Sequence, residues 1–308
     1  SCTSDPEALR DSVENVGGPD VRETLVLDTD LGPAVIAQRV AGVEQGRARD
    51  VRAVHSVEDE ILRRWEEGGK GSADIVSGGN IEHIQLNNTD PWTEVDGERS
   101  SIKTKHPTLS DPAVRQALNV LVDRGSIQEE IYGRTGIATA NFVNAPARYV
   151  SKNTKWEFNG DKANQILDAA GWKRGADGIR AKDGKKLKFV YQTSINAPRQ
   201  KTQQIVKQAC TKAGIDVELK SVTANVFFSS DPANLDTFPH FSTDLQMFTT
   251  TMTQPDPQRF MDQFVSWEVA SKENKWAGRN PTRWRNEEYD RTWKAAEAEM
   301  DPVKRAAH

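Results

Sequence analysis

Five histidines (His55, His83, His106, His240 and His308) share no spacing that could bring two of them onto one metal. The two cysteines, Cys2 and Cys210, cannot form a Cys-x-x-Cys pair, so no metal site is expected. Cys2 reads as a terminal thiol and Cys210 as a buried helical one. The nucleophile elbow GxSxG, the phosphate loops GxxxxGK[ST] and GxGxxG, and the HExxH helix are all absent. Catalytic triads assemble in space rather than in sequence, so an α/β enzyme with an unrecognised site stays open. No cofactor is implied. Asp256, between Pro255 and Pro257, is either a functional loop acid or the cap of a helix starting at Pro257. Eight tryptophans is a high number for this length. Trp156, Trp267, Trp276 and Trp284 lie near loops rather than on a helical stripe. Some are ordinary packing residues, and one or two could line a cleft, where an aromatic ring gives large contact area and one polar handle.

Positioning such residues needs a scaffold, and 308 residues allow one large domain or two medium ones. Charged residues make up 28% and hydrophobic ones 36%, with a mean hydropathy of −0.69, which is the profile of a soluble protein. No apolar run approaches the roughly 18 residues of a membrane helix. Lys and Arg total 41 against 45 Asp and Glu, and this even balance argues against nucleic-acid binding. Residues 1–30 are poorly patterned apart from a short strand at Leu25–Leu27. Helices are predicted over Pro33–Val43 and Ser56–Glu67, and a strand over Ile81–Leu86. Ser110-Asp111-Pro112 opens a helix that Gly125 ends, and Ser126 caps a shorter one. Lys162–Ala170 is a helix stopped by Gly171, and Asp177-Gly178 and Asp183-Gly184 are tight turns. Strand Leu187–Thr193, helix Pro198–Ala213 and strand Ile215–Val222 form a crossover unit. Leu245–Phe248 is a further strand and Asn286–Met300 a last helix. Strands alternating with helices indicate an α/β fold.

The segment from Ser110 to Gly133 carries an Asp-x-x-Val-Arg-x-Ala-Leu helix, then an Asp-Arg turn and a second helix ending in Gly, at Asp111, Val114, Arg115, Ala117, Leu118, Asp123, Arg124 and Gly133. It resembles a hallmark of the extracellular solute-binding proteins of family 5, the peptide, nickel and oligosaccharide receptors of ABC importers. The helix Lys162–Trp172 ending in Ala-Gly-Trp, the turn and strand Asp177–Ser194, the crossover Gln203–Val222, the loop Pro255–Phe260 and the helices Asn286–Ala307 are similar to that family in the same order. Each is weak singly; together they are specific and cover about residues 30–308.

The resemblance implies a type II periplasmic-binding-protein-like α/β fold of two lobes that close on a ligand. Residues 80–308 correspond to the second ligand-binding lobe and residues 1–79 to a lead-in and remnant of the first, with the C-terminal return to the first lobe missing. It implies the substrate-binding component of an ABC importer, capturing oligopeptides or, alternatively, oligosaccharides. A signalling or chaperone-like receptor on the same fold is a further reading. The implied setting is periplasmic or extracellular, as a monomer beside a membrane permease. In peptide-binding relatives an Asp three residues before the Asp-Pro pair anchors the ligand's amine. That position is Thr253 here, so the usual ammonium clamp is absent, with Asp256 the nearest acid. The cleft is expected to be lined by Phe248, Thr250, Thr251, Thr253 and Asp256, by His83, Gln85 and Asn87 on the opposite edge, and by Trp276.

Overall fold

The computed structural model describes residues 79–305 continuously, together with residues 24–27, 43–44, 47–48, 59–68 and 72–75. The chain divides into two compact units, one of Ser1–His55 with Glu60–Val76 and one of Ser56–Asp59 with Ser77–His308. In the first, β1 (Thr24–Leu27) lies where a short strand is predicted. Strands β2 (Val43–Glu44) and β3 (Arg47–Ala48) pair antiparallel. Helix α1 (Asp59–Glu67) starts later than predicted, and β4 (Ser72–Ile75) runs parallel to β1. Val43, expected at a helix end, is in β2; the rest of the helix expected over Pro33–Val43 lies outside the described residues, as does Cys2.

The second unit begins with β5 (Asn80–Leu86) and α2 (Pro112–Leu121). The Asp111 carboxylate caps α2, accepting the Ala113 N–H at 2.9 Å, and Pro112 stands in the first turn, where a missing N–H costs nothing. The expected stop at Gly125 is wrong: Val122 is already extended. Helix α3 (Arg124–Ile127) follows and runs into a π-helical turn at Gln128–Tyr132. Its cap is Asp123 rather than Ser126. The carboxylate accepts both the Ser126 N–H (3.0 Å) and the Ser126 hydroxyl (2.7 Å), so the serine is the donor.

Helix α4 (Gly160–Ala169) is capped by Asn159 and released at Gly171, whose φ of +86° only glycine adopts without strain. A basic meander follows: β6 (Lys173–Arg174), β7 (Arg180–Lys182) and β8 (Lys185–Lys186), turning at the two predicted Asp-Gly pairs. Then come β9 (Lys188–Ser194), α5 (Ala197–Lys212) and β10 (Asp216–Val222). Helix α6 (Ala224–Phe227), β11 (Leu245–Thr251), α7 (Gln258–Met261), α8 (Glu287–Ala298) and α9 (Pro302–Arg305) complete it.

The main sheet has the order β10-β9-β11-β5. Strands β10 and β11 are parallel to β9, and β5 is antiparallel to β11. Alternation along the strands separates two faces. Phe189, Tyr191, Val217, Leu245 and Met247 pack on Val114 and Leu118 of α2, Leu167 of α4 and Val206 and Cys210 of α5. Cys210 is a buried free thiol, and burial pushes its pKa up to about 12, which makes it inert. The opposite face carries Gln85, Gln192 and Gln246. The Gln192 and Gln246 amides donate to the carbonyls of Asp236 (2.7 Å) and Phe238 (3.1 Å), tying the segment before β11 onto the sheet.

Candidate functional site

The connection from β9 through α5 places β10 on one side of β9, and β11 lies on the other. In open α/β sheets such a reversal opens a crevice outside the carboxyl ends of the strands. Here those ends are Ser194 of β9 and Thr249–Thr251 of β11. The two strands stay in register only as far as Met247 opposite Thr193. Strand β11 continues against β5 to Thr251 opposite Asn80.

The ladder decides which way the main chain faces. Met252 donates its N–H to the Gly79 carbonyl at 3.0 Å, so alternation turns Phe248 and Thr250 toward β5. Thr249 and Thr251 therefore turn their N–H and C=O groups the other way. The Met247 carbonyl agrees, because it accepts the Thr193 hydroxyl of β9 at 2.7 Å. Beyond it, among the described residues, no strand meets the outer main-chain groups of Thr249 and Thr251.

The side chains along this rail are spoken for. Arg199, in the first turn of α5 and 9% exposed, donates to Glu82 Oε1 (2.9 Å), Ser194 Oγ (2.6 Å) and Thr249 Oγ1 (2.9 Å). The Thr249 hydroxyl in turn donates to the Glu82 carboxylate. The Thr251 hydroxyl donates to Asn80 Oδ1 (2.5 Å), and Asn144 donates to the Asn80 carbonyl (2.7 Å). One ion pair thus fixes α5, β5, β9 and β11 at a common end. Arg199 and Glu82 thereby compensate each other's charge.

Residues 35–272 match the family model of the bacterial extracellular solute-binding proteins, family 5 Middle. The chain belongs to this family. Oligopeptide-binding protein AppA of Bacillus subtilis (strain 168) is 35% identical over 124 residues, which are 38% of this chain and 23% of that protein. The solved structure of AppA from Bacillus subtilis with a nonapeptide superposes with a TM-score of 0.59 at 26% identity, over 76% of this chain and 41% of that one. The oligopeptide binding protein from Thermus thermophilus with a pentapeptide shares the fold, with a TM-score of 0.63 at 22% identity, over 83% and 47%. The chain spans less than half the length of these relatives.

Seen as a family-5 fold, the structure gathers some of the sequence-expected residues and disperses others. Thr250 and Thr251 lie on the rail and exposed Thr253 just past it. Phe248 precedes it, buried, with its ring 4.7 Å from that of His83. His83 also packs edge-on against Phe142 at 5.2 Å, and its Nε2 is buried with no partner. Burial lowers its pKa from 6.5 to about 4, against opposing hydrogen bonds to the backbone of Ile81 and Phe248. Gln85 is buried and accepts from Gln246 (2.9 Å). Asn87 is fully buried at the far end of β5, donating to Ser100 and to the carbonyls of Phe241 and Thr243. Trp276 is at that far end too, stacked 4.0 Å from the ring of His240. Asp256 accepts the Gln258 N–H (2.9 Å) and pairs with Arg305 (3.0 Å), while α7 starts at Gln258 with Pro257, not Asp256, at its cap position. Sequence reasoning missed Arg199 and Glu82. The available signal was Glu82 itself, a charge at the same period-2 position as core residues Ile84 and Leu86.

Proposed function

We propose that the chain contributes to the substrate-binding component of an ABC importer and takes an oligopeptide at the carboxyl ends of β9 and β11. The observation that carries this reading is the main-chain edge of Thr249 and Thr251, which no described strand covers. Exposed strand groups pair with an extended peptide through main-chain hydrogen bonds, whatever the peptide's side chains. A sugar would need free hydroxyls and carboxylates, and the Thr249 and Thr251 hydroxyls are already used within the fold. The ligand's amine is not the anchor: Thr253 carries no charge, and Asp256 is engaged by Arg305. Residues 80–308 act as one lobe, and ligand capture shifts the population toward the closed form that docks on a membrane permease.

The family is extracellular, and no described helix is long and apolar enough to cross a membrane. The proposed working place is the periplasm or cell surface, as a monomer. Isothermal titration with pentaalanine tests the reading. Pentaalanine and its N-acetylated form should bind equally, and a backbone N-methylated form should bind at least about tenfold more weakly. Binding of maltopentaose with no binding of either peptide would overturn it.

A further inference from the structure

Phe228 is 36% exposed, although three aromatic rings hold it in place. Its ring lies 5.0 Å from Phe227, 6.1 Å from Phe238 and 6.5 Å from Phe248. The Phe227 carbonyl accepts the Phe238 N–H at 2.8 Å, which locks the turn that carries it. On another side the Arg199 guanidinium stands 5.8 Å from the ring centre. Phe248 immediately precedes Thr249, and Arg199 donates to the Thr249 hydroxyl. Phe228 is therefore bracketed by the two groups that flank the start of the rail. Ile195 is 55% exposed and directly follows Ser194, which also accepts from Arg199.

We propose that Phe228 and Ile195 form a side-chain subsite beside the rail, and that it selects a bulky apolar residue of the bound peptide. The inference rests on the peptide reading and adds which peptides are preferred. Two large apolar side chains held open to water at a binding edge gain most from being covered by another apolar group. Arg199 does not turn the subsite into an anion site. Its charge is met by Glu82, at 2.9 Å, and a ligand carboxylate would meet that glutamate as well. The paired guanidinium instead lines the Phe228 ring, 5.8 Å from its centre.

Titration with pentaalanine and with five peptides carrying one Phe at successive positions tests this without assuming a register. At least one Phe peptide should bind about tenfold or more tightly than pentaalanine. That gain should vanish in Phe228→Ala and in Ile195→Ser, while each variant holds pentaalanine within about twofold. Both changes are at exposed positions, and circular dichroism checks that the fold persists. Equal binding of all six peptides, or a gain that survives in both variants, overturns the subsite alone. If none of the six binds, the peptide reading falls and the subsite with it.

Discussion

His83 shows what it costs to enclose an imidazole with one ring nitrogen left unpaired. Its imidazole sits edge-on between Phe142 and Phe248, and the fold keeps it neutral down to about pH 4. In the unfolded chain it titrates at its ordinary value of 6.5. Between these values the unfolded state binds a proton that the folded state refuses, so stability falls as pH drops from 6.5 toward 4. The loss is at most about 3 kcal/mol from this residue. Measured from pH 7 to pH 4, the urea midpoint of the wild type should fall relative to that of His83→Leu as pH drops. A constant difference across that range would show that His83 is protonated alike in both states. The same residue marks how far sequence reaches. The Ile-Glu-His-Ile-Gln-Leu alternation marks the strand that carries it. The enclosing rings come from residues 142 and 248, and nothing local announces them. Asn87 is a sharper case. It is expected on the cleft edge, but its amide donates to carbonyls at Phe241 and Thr243, more than 150 positions away in the chain.

Among the elements, β11 changes character along its length. Up to Met247 it is a central strand; from Thr249 on it is paired only with β5. Amide exchange should record this residue by residue. The Phe248 and Thr250 amides face β5 and should be protected. Those of Thr249 and Thr251 face the crevice and should exchange faster, then gain protection when pentaalanine binds. Equal protection of all four amides without ligand would mean that another segment already covers the edge. Most element ends were legible because their chemistry is local: Asp111-Pro112, Gly171 and the two Asp-Gly turns act within a few residues of themselves. The Asp123 cap was misplaced onto Ser126 because both residues suit an N-cap, and only geometry tells the acceptor from the donor. The strand order was not legible. Helix α5 makes β10 a neighbour of β9, but the placement of β11 on the other flank, with β5 beyond it, rests on long-range pairing.

At the scale of the whole molecule, every residue assigned to the rail and the apolar subsite lies in the unit that contains Ser77–His308. The resemblance visible from residue 30 onward was borne out at the level of family and fold. The site was reached only through register and hydrogen bonds. Its location within one unit has a thermodynamic consequence. A ligand bound only by the folded form stabilises it by RT ln(1 + [L]/Kd), about 2.7 kcal/mol at a hundredfold excess over Kd. For a unit of this size that corresponds to a rise of roughly 5–10 °C in its melting temperature. Scanning calorimetry with the tightest-binding Phe peptide should raise the transition of this unit by that amount. Phe228→Ala should reduce the rise at the same peptide concentration, because the lost affinity lowers [L]/Kd about tenfold and removes about 1.4 kcal/mol of the stabilisation. An unchanged transition at a concentration where titration shows saturation would place the ligand outside this unit. That result would remove the rail from the binding site.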